Sequence, residues 1–170
     1  MASWPDFRPT ALLLALTEAE VDFVVVGGVA MIVHGSARPT ADLDICYAID
    51  ASNLNALGAV LVELGARLRG LEEDLPFVPD GGTLKRTAIL TLSTPDGEID
   101  LLVDPAGSPG YARLRERSEE TTLDGIAFRV ASLDDLESMK RAAGRPKDLI
   151  DLEEIEVIRR LRRELELGRG

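Results

Sequence analysis

The feature that most constrains this chain is a glycine pair held at a set distance from two acids: Gly27-Gly28, thirteen further residues, then Asp42-Leu43-Asp44. Before the glycines, Asp22 to Val26 is a β-branched apolar run that reads as a strand ending in a glycine turn. Val29 to His34 reads as a short helix, Gly35 to Thr40 as a loop, and Leu43 to Tyr47 as a second strand flanked by acids. Side chains on a strand alternate with a period of 2, so Asp42 and Asp44 point to one face. Carboxylates crowded there repel unless cations or solvent offset them, and such hard oxygen ligands suit Mg2+ or Mn2+ better than zinc.

The remaining pattern supplies a third acid and a frame. Ala11 to Ala19 reads as a helix, and Asn53 to Leu64 as another, with Leu54, Leu57, Leu61 and Leu64 at helical spacing and Ser52 as its N-cap. Thr87 to Leu92 and Glu98 to Val103 flank Thr94-Pro-Asp-Gly97, strong turn chemistry for two antiparallel strands, which puts Asp100 on a strand. A second hairpin runs from Thr121 to Val130 around Asp124-Gly125, and Ser132 opens a helical tail. Gly144-Arg145-Pro146 interrupts that tail; beyond it Leu149, Leu152, Ile155, Ile158 and Leu161 recur as the apolar residues of a last helix. No repeat, low-complexity tract or linker divides the 170 residues. The expectation is one α+β domain: a core over about 8–130, a short mixed β-sheet backed by helices, and a helical C-terminal tail over about 132–167.

Composition narrows the partners. The formal net charge of -11 argues against broad electrostatic adhesion to nucleic acid, which needs many Lys or Arg contacts to phosphate. The lone Cys46 has no disulfide partner and no zinc-type spacing. Met1 to Asp6 carries no basic leader region, and Ala11 to Leu16 is too short to span a bilayer, so the reading is cytoplasmic with no membrane partner.

With Asp100 added, Asp42 and Asp44 make a carboxylate cage for divalent metal, which neutralises a triphosphate and lowers the pKa of an attacking hydroxyl. Gly27 and Gly28, lacking Cβ, let backbone N–H groups approach phosphates at a helix N-terminus. At these residues the chain resembles the DNA polymerase β-like nucleotidyltransferase superfamily, whose motif is a strand, Gly-Gly or Gly-Ser, and Asp-x-Asp, completed by a third acid. Arg38-Pro-Thr-Ala-Asp-Leu-Asp44, Ile99-Asp100-Leu-Leu and Lys140 to Asp151 look more narrowly like the small bacterial nucleotidyltransferases of the abortive-infection and toxin–antitoxin type.

The resemblance implies transfer of a nucleoside monophosphate from an NTP with release of pyrophosphate. Asp42, Asp44 and Asp100 would hold Mg2+ or Mn2+, with Asp100 alternatively the base. Lys140 would neutralise the triphosphate as a point charge, and Arg145 would contact it bidentately. Lys147 and Asp148 would complete the nucleotide contacts, with Asp148 or Asp151 orienting Lys140 or the acceptor. Arg38 and Thr40 either contact the nucleotide or face water. His34 reads as a packed structural residue, and Arg159, Arg160, Arg162 and Arg163 as favourable charge near a helix C-terminus. For the acceptor, the leading reading is the toxin-like branch, which implies tRNA; an antitoxin-like branch implies a protein hydroxyl on a cognate toxin, small molecules such as aminoglycosides are a third option, and a non-catalytic partner-binding protein is the alternative outside enzymology.

Overall fold

A computed structural model describes residues 7–70 and 79–170. Met1 to Asp6, read above for their lack of a basic leader, lie outside the described residues. Along the chain the elements are α1 (Pro9–Glu18), β1 (Phe23–Val26), α2 (Gly27–His34), β2 (Asp42–Tyr47), α3 (Ala51–Glu63), β3 (Arg67–Leu68), α4 (Gly81–Arg86), β4 (Ile89–Thr94), β5 (Gly97–Leu102), α5 (Tyr111–Arg117), β6 (Glu119–Leu123), β7 (Ile126–Val130), α6 (Leu133–Ala143) and α7 (Pro146–Leu167). The strands form one mixed sheet in the order β3-β4-β5-β2-β1-β7-β6. This is the expected α+β architecture, widened by the two-residue edge strand β3, which no periodicity announces.

Every residue of β1 is buried, as a central strand covered on both faces must be. On β2 and β5 burial alternates instead: Leu43, Ile45, Ile99 and Leu101 enter the core while Asp42, Asp44, Glu98 and Asp100 remain partly accessible. The two strands run parallel with Asp44 opposite Asp100 and Leu43 opposite Ile99, so the apolar set and the acidic set fall on opposite faces. Pro95-Asp96 turns the chain between β4 and β5, which places Thr91 opposite Asp100.

Local chemistry explains most boundaries. Gly144 takes the left-handed conformation, with φ 60°, that closes α6, and Pro146 occupies the first turn of α7, where its missing N–H costs nothing. Ser132 caps α6 by accepting from the Asp135 N–H, as its sequence position predicts. The cap of α3 differs from expectation. Helix α3 starts at Ala51, and Asp50, not Ser52, accepts from the Asn53 N–H at 3.0 Å. Asn53 is thereby turned inward, where its amide donates to the Asp22 and Ala48 carbonyls and its carbonyl accepts from the Asp22 N–H.

The tail periodicity was too generous in another respect. Of the apolar residues read along α7, Ile155 and Ile158 enter the core, whereas Leu149 and Leu161 are exposed. The helix buries Asp148 and Asp151 on the same face as Ile155 and Ile158, so its inner surface is half carboxylate.

The cap assignment is testable by chemical denaturation. Asp50→Ala is expected to lower stability by about 1 kcal/mol. Ser52→Ala, at an exposed position with no cap bond, should stay within about 0.5 kcal/mol of wild type.

Candidate active site

Because β2 and β5 are in register, their acidic faces coincide: Asp42, Asp44 and Asp100 each offer one carboxylate oxygen, and these three oxygens lie within 4.8 Å of one another. The sequence-predicted triad is therefore assembled on one face of the sheet. The glycine pair opens α2 directly above it. A Cβ on Gly27, whose φ is +67°, would sit 1.9 Å from Asp44 Oδ2, and one on Gly28 would sit 2.5 Å from Thr40 Oγ1. So the two glycines serve the acids as well as the helix N-terminus. Their missing side chains are the space that Asp44 and Thr40 fill. Thr40 in turn donates to Asp42 Oδ1 at 3.2 Å, which fixes that carboxylate.

Crowding shows in the electrostatics. Burial first, then the charges of Asp42 and Asp100, push the Asp44 carboxyl up to about 8, with Lys140 pulling the other way. Asp100 is also raised by burial, although the Arg69 guanidinium beside it opposes the shift. The two carboxyls also hydrogen-bond each other, and both are pushed above the ordinary carboxylate value, Asp44 the further. Three oxygens this close, with one acid retaining a proton near neutrality, are the donor set a hard divalent cation fits.

Arg69 is the site residue that sequence reading missed. Its Nη2 lies 2.9 Å from Asp100 Oδ1 and 3.3 Å from Glu98 Oε2, and also donates to the Leu92 carbonyl at 3.2 Å. The Arg69 N–H bonds the Thr91 carbonyl, which continues the β3–β4 ladder and delivers the side chain to β5. A two-residue strand carries no sequence signal that would have found it.

The tail residues come to the opposite wall of a cavity of about 420 Å3, lined by Gly27, Gly28, the three acids, Lys140, Arg38, Thr40 and the first turn of α7, with Leu136, Met139 and Leu102 as apolar lining. Lys140 Nζ bonds Asp151 Oδ2 at 2.7 Å and approaches Asp148 Oδ1 at 3.4 Å, so both tail acids orient it. Arg38 Nη1 also reaches Asp151, at 2.5 Å, and donates to the Lys147 carbonyl. Arg145 makes its bidentate fork with Asp148, Nε to Oδ2 at 2.7 Å and Nη2 to Oδ1 at 3.2 Å, while its backbone N–H donates to Oδ2 of the same acid at 3.0 Å. Burial pushes Asp148 upward, but these bonds from Arg145 and the charge of Lys140 outweigh it and hold the carboxyl below its ordinary value.

Two other sequence readings resolve here. His34 is structural: Nε2 donates to the Ala131 carbonyl at 2.7 Å and Nδ1 accepts from Arg162 at 3.0 Å, the pattern of a neutral ring. The arginine run does not sit at a helix C-terminus, because α7 continues to Leu167 and its last turn holds no basic residue. Arg159 instead bridges to Asp134 and Glu137 of α6, both at 2.5 Å.

No protein-family model matches the chain, and no curated protein does. Solved structures do. The lincosamide antibiotic adenylyltransferase LnuA, lincomycin-bound, superposes with TM-score 0.62 at 13% identity, over 90% of this chain and 99% of that one. ANT(2'')-Ia in complex with adenylyl-2''-tobramycin gives TM-score 0.53 at 17% identity, over 93% and 96%. An antigenic nucleotidyltransferase-like protein from Paracoccidioides brasiliensis gives 0.50 at 20% identity, over 89% of this chain and 73% of that one. The chain has the nucleotidyltransferase fold.

The raised Asp44 carboxyl has a consequence for stability. Between the unfolded value of 3.8 and the folded value of about 8, the native state keeps a proton that the unfolded chain has released. Without metal, stability is therefore expected to fall as pH rises through that window. Asp44→Asn should remove much of the slope and raise stability at pH 8 by about 1–3 kcal/mol, well below the full linkage value because solvent and counterions reach the site. Urea denaturation of both proteins in chelator at about pH 5 and pH 8 measures this.

Proposed function

We propose that this protein is a metal-dependent nucleotidyltransferase that moves a nucleoside monophosphate from an NTP to the hydroxyl of an acceptor. The observation that carries the reading is the convergence of Asp42, Asp44 and Asp100 within 4.8 Å beneath the glycine-opened N-terminus of α2. Mg2+ or Mn2+ bound by the three acids would supply charge neutralisation to the triphosphate and acidify the acceptor hydroxyl. The chain's own residues do the rest. Backbone N–H groups at Gly27 and Gly28 bind phosphate oxygens, and Lys140, aimed by Asp151, neutralises the leaving pyrophosphate. Arg38, Thr40, Arg145, Lys147 and Asp148 frame the nucleotide from the loop before β2 and the first turn of α7. Arg69 orients Asp100 and opposes the upward push of burial on it, and Asp100 accepts the acceptor's proton as its oxygen attacks the α-phosphorus and the α–β phosphoanhydride bond breaks.

For the acceptor, a small molecule has more support than tRNA or a partner protein. The toxin–antitoxin reading rests on the resemblance over Arg38 to Asp44, Ile99 to Leu102 and Lys140 to Asp151; for tRNA as the acceptor, two of the four arginines in the basic run, Arg159 and Arg162, are occupied by Asp134, Glu137 and His34, and the net charge is -11. LnuA is a lincosamide antibiotic adenylyltransferase with lincomycin bound and ANT(2'')-Ia is in complex with adenylyl-2''-tobramycin, so two proteins of this fold hold an antibiotic or its adenylylated form. The reaction so described belongs in the cytoplasm, where NTP is available.

Incubation with each radiolabelled NTP and Mg2+ or Mn2+, separately with lincomycin, tobramycin, total tRNA and cell-extract protein, is expected to label a small acceptor. Asp42→Asn and Asp44→Asn should lower turnover at least about 100-fold with the fold retained. Lys140→Ala should weaken NTP binding by about tenfold in calorimetry. Label on RNA or on one protein would move the acceptor to the toxin or antitoxin branch, and a wild type inactive in every arm would sink the enzymatic reading.

A further inference from the structure

Beside its buried face, α7 carries an apolar line that no other described residue covers. Ile150, Val157, Leu161 and Leu165 are 54%, 40%, 51% and 66% exposed. Their spacing of seven, four and four residues puts them on one face of the helix, adjacent to the buried face of Asp151, Ile155 and Ile158. Glu154 lies on the same line, and its carboxylate is already bonded by the Ser36 hydroxyl at 2.8 Å and the Ala37 N–H at 3.3 Å. Aligned apolar side chains of this size on a soluble domain mark an interaction surface.

The charges beside the line select the partner. Glu153 and Arg160 lie seven residues apart along its outer flank, and among the described residues neither makes an ion pair. The neighbouring cations are committed elsewhere, Arg159 to Asp134 and Glu137 and Arg162 to His34. A second α7 lying antiparallel satisfies both free charges twice, Glu153 against the partner's Arg160 and Arg160 against the partner's Glu153. In a parallel pair the flanks carrying Glu153 and Arg160 lie on opposite sides of the seam, so neither charge meets the other.

We propose that α7 pairs antiparallel with α7 of a second copy of this chain, about a two-fold axis passing beside Glu154 and Val157. In the layering of an antiparallel helix pair, Ile150 then packs on the partner's Leu161, and Val157 on the hydrogen-bonded Glu154 of the partner. The interface is isologous, so each contact occurs twice and each copy uses the same surface.

Sedimentation of the full chain across a concentration series tests the pairing. Wild type is expected to dimerise, and Leu161→Glu, at an exposed position that leaves the fold intact, should weaken the dimer about tenfold or more. Glu153→Arg and Arg160→Glu should each weaken it, and the double exchange should restore it. Geometry has its own readout, since Cys46 is buried and stays silent: under mild oxidation, a mixture of Ile150→Cys and Leu161→Cys chains should cross-link faster than either alone. A monomer at every concentration up to about 100 µM overturns the proposal. So does a dimer indifferent to Leu161→Glu, or a mixture that cross-links no faster than its components.

Discussion

Three carboxylates within 4.8 Å of one another repel, and the arrangement of the elements around β2 and β5 answers that repulsion. Three compensations are visible. Arg69 reaches in from the sheet edge to Asp100, Thr40 donates to Asp42, and Asp44, which has neither, retains a proton. The acids therefore differ in surroundings although they share a face: one is ion-paired, one is hydrogen-bonded by a hydroxyl, and one has its carboxyl pushed up by burial and by the charges of the other two. On the proposed reading, a divalent cation bound by these acids would take over the role of the protons it displaces.

The opposite wall follows the same logic with the signs exchanged. Lys140 stands close enough to Asp44 to lower its pKa, yet it is tethered to Asp151, which also takes Arg38. One nearly buried carboxylate thus ties the loop before β2, helix α6 and helix α7 together. Asp148 does the equivalent for Arg145 and Lys140. Buried ion pairs of this kind contribute little net stability, because desolvation offsets much of their attraction, but removing one member leaves a charge uncompensated. They are better understood as fixing where the cations stand than as holding the domain together. The apolar core of β1, β2, β5, α1 and α3 does that.

Much of this was legible in the sequence wherever a short-range rule applied. The period of 2 put Asp42 and Asp44 on one face, Thr94 to Gly97 turned the chain so that Asp100 lay on a strand, and Gly144 and Pro146 broke the tail where α6 and α7 part. What could not be read required long-range register. Nothing local states that β5 lies parallel beside β2 with Asp100 opposite Asp44, nor that a two-residue strand at the sheet edge aims Arg69 at Asp100. The N-cap of α3 failed for a smaller reason: Asp50 and Ser52 are both good caps, and only the backbone decides between them.

The glycine pair shows how a local motif can be read correctly and explained incompletely. From sequence, Gly27 and Gly28 make room for a ligand; in the fold they first make room for Asp44 and Thr40. An alanine at either position would collide with the acid cage before it met a phosphate. The motif therefore couples two distances at once, backbone to ligand and helix to carboxylate, and the second requires that β2 return antiparallel to β1 with Asp44 opposite Val26, the residue immediately before Gly27. The spacing between the glycines and the aspartates is then a consequence of packing: the intervening residues must complete α2, turn at Gly35, pass Thr40 over Gly28 and re-enter the sheet in that register. A chain that kept both motifs but changed the connection would lose the contact that makes them one site.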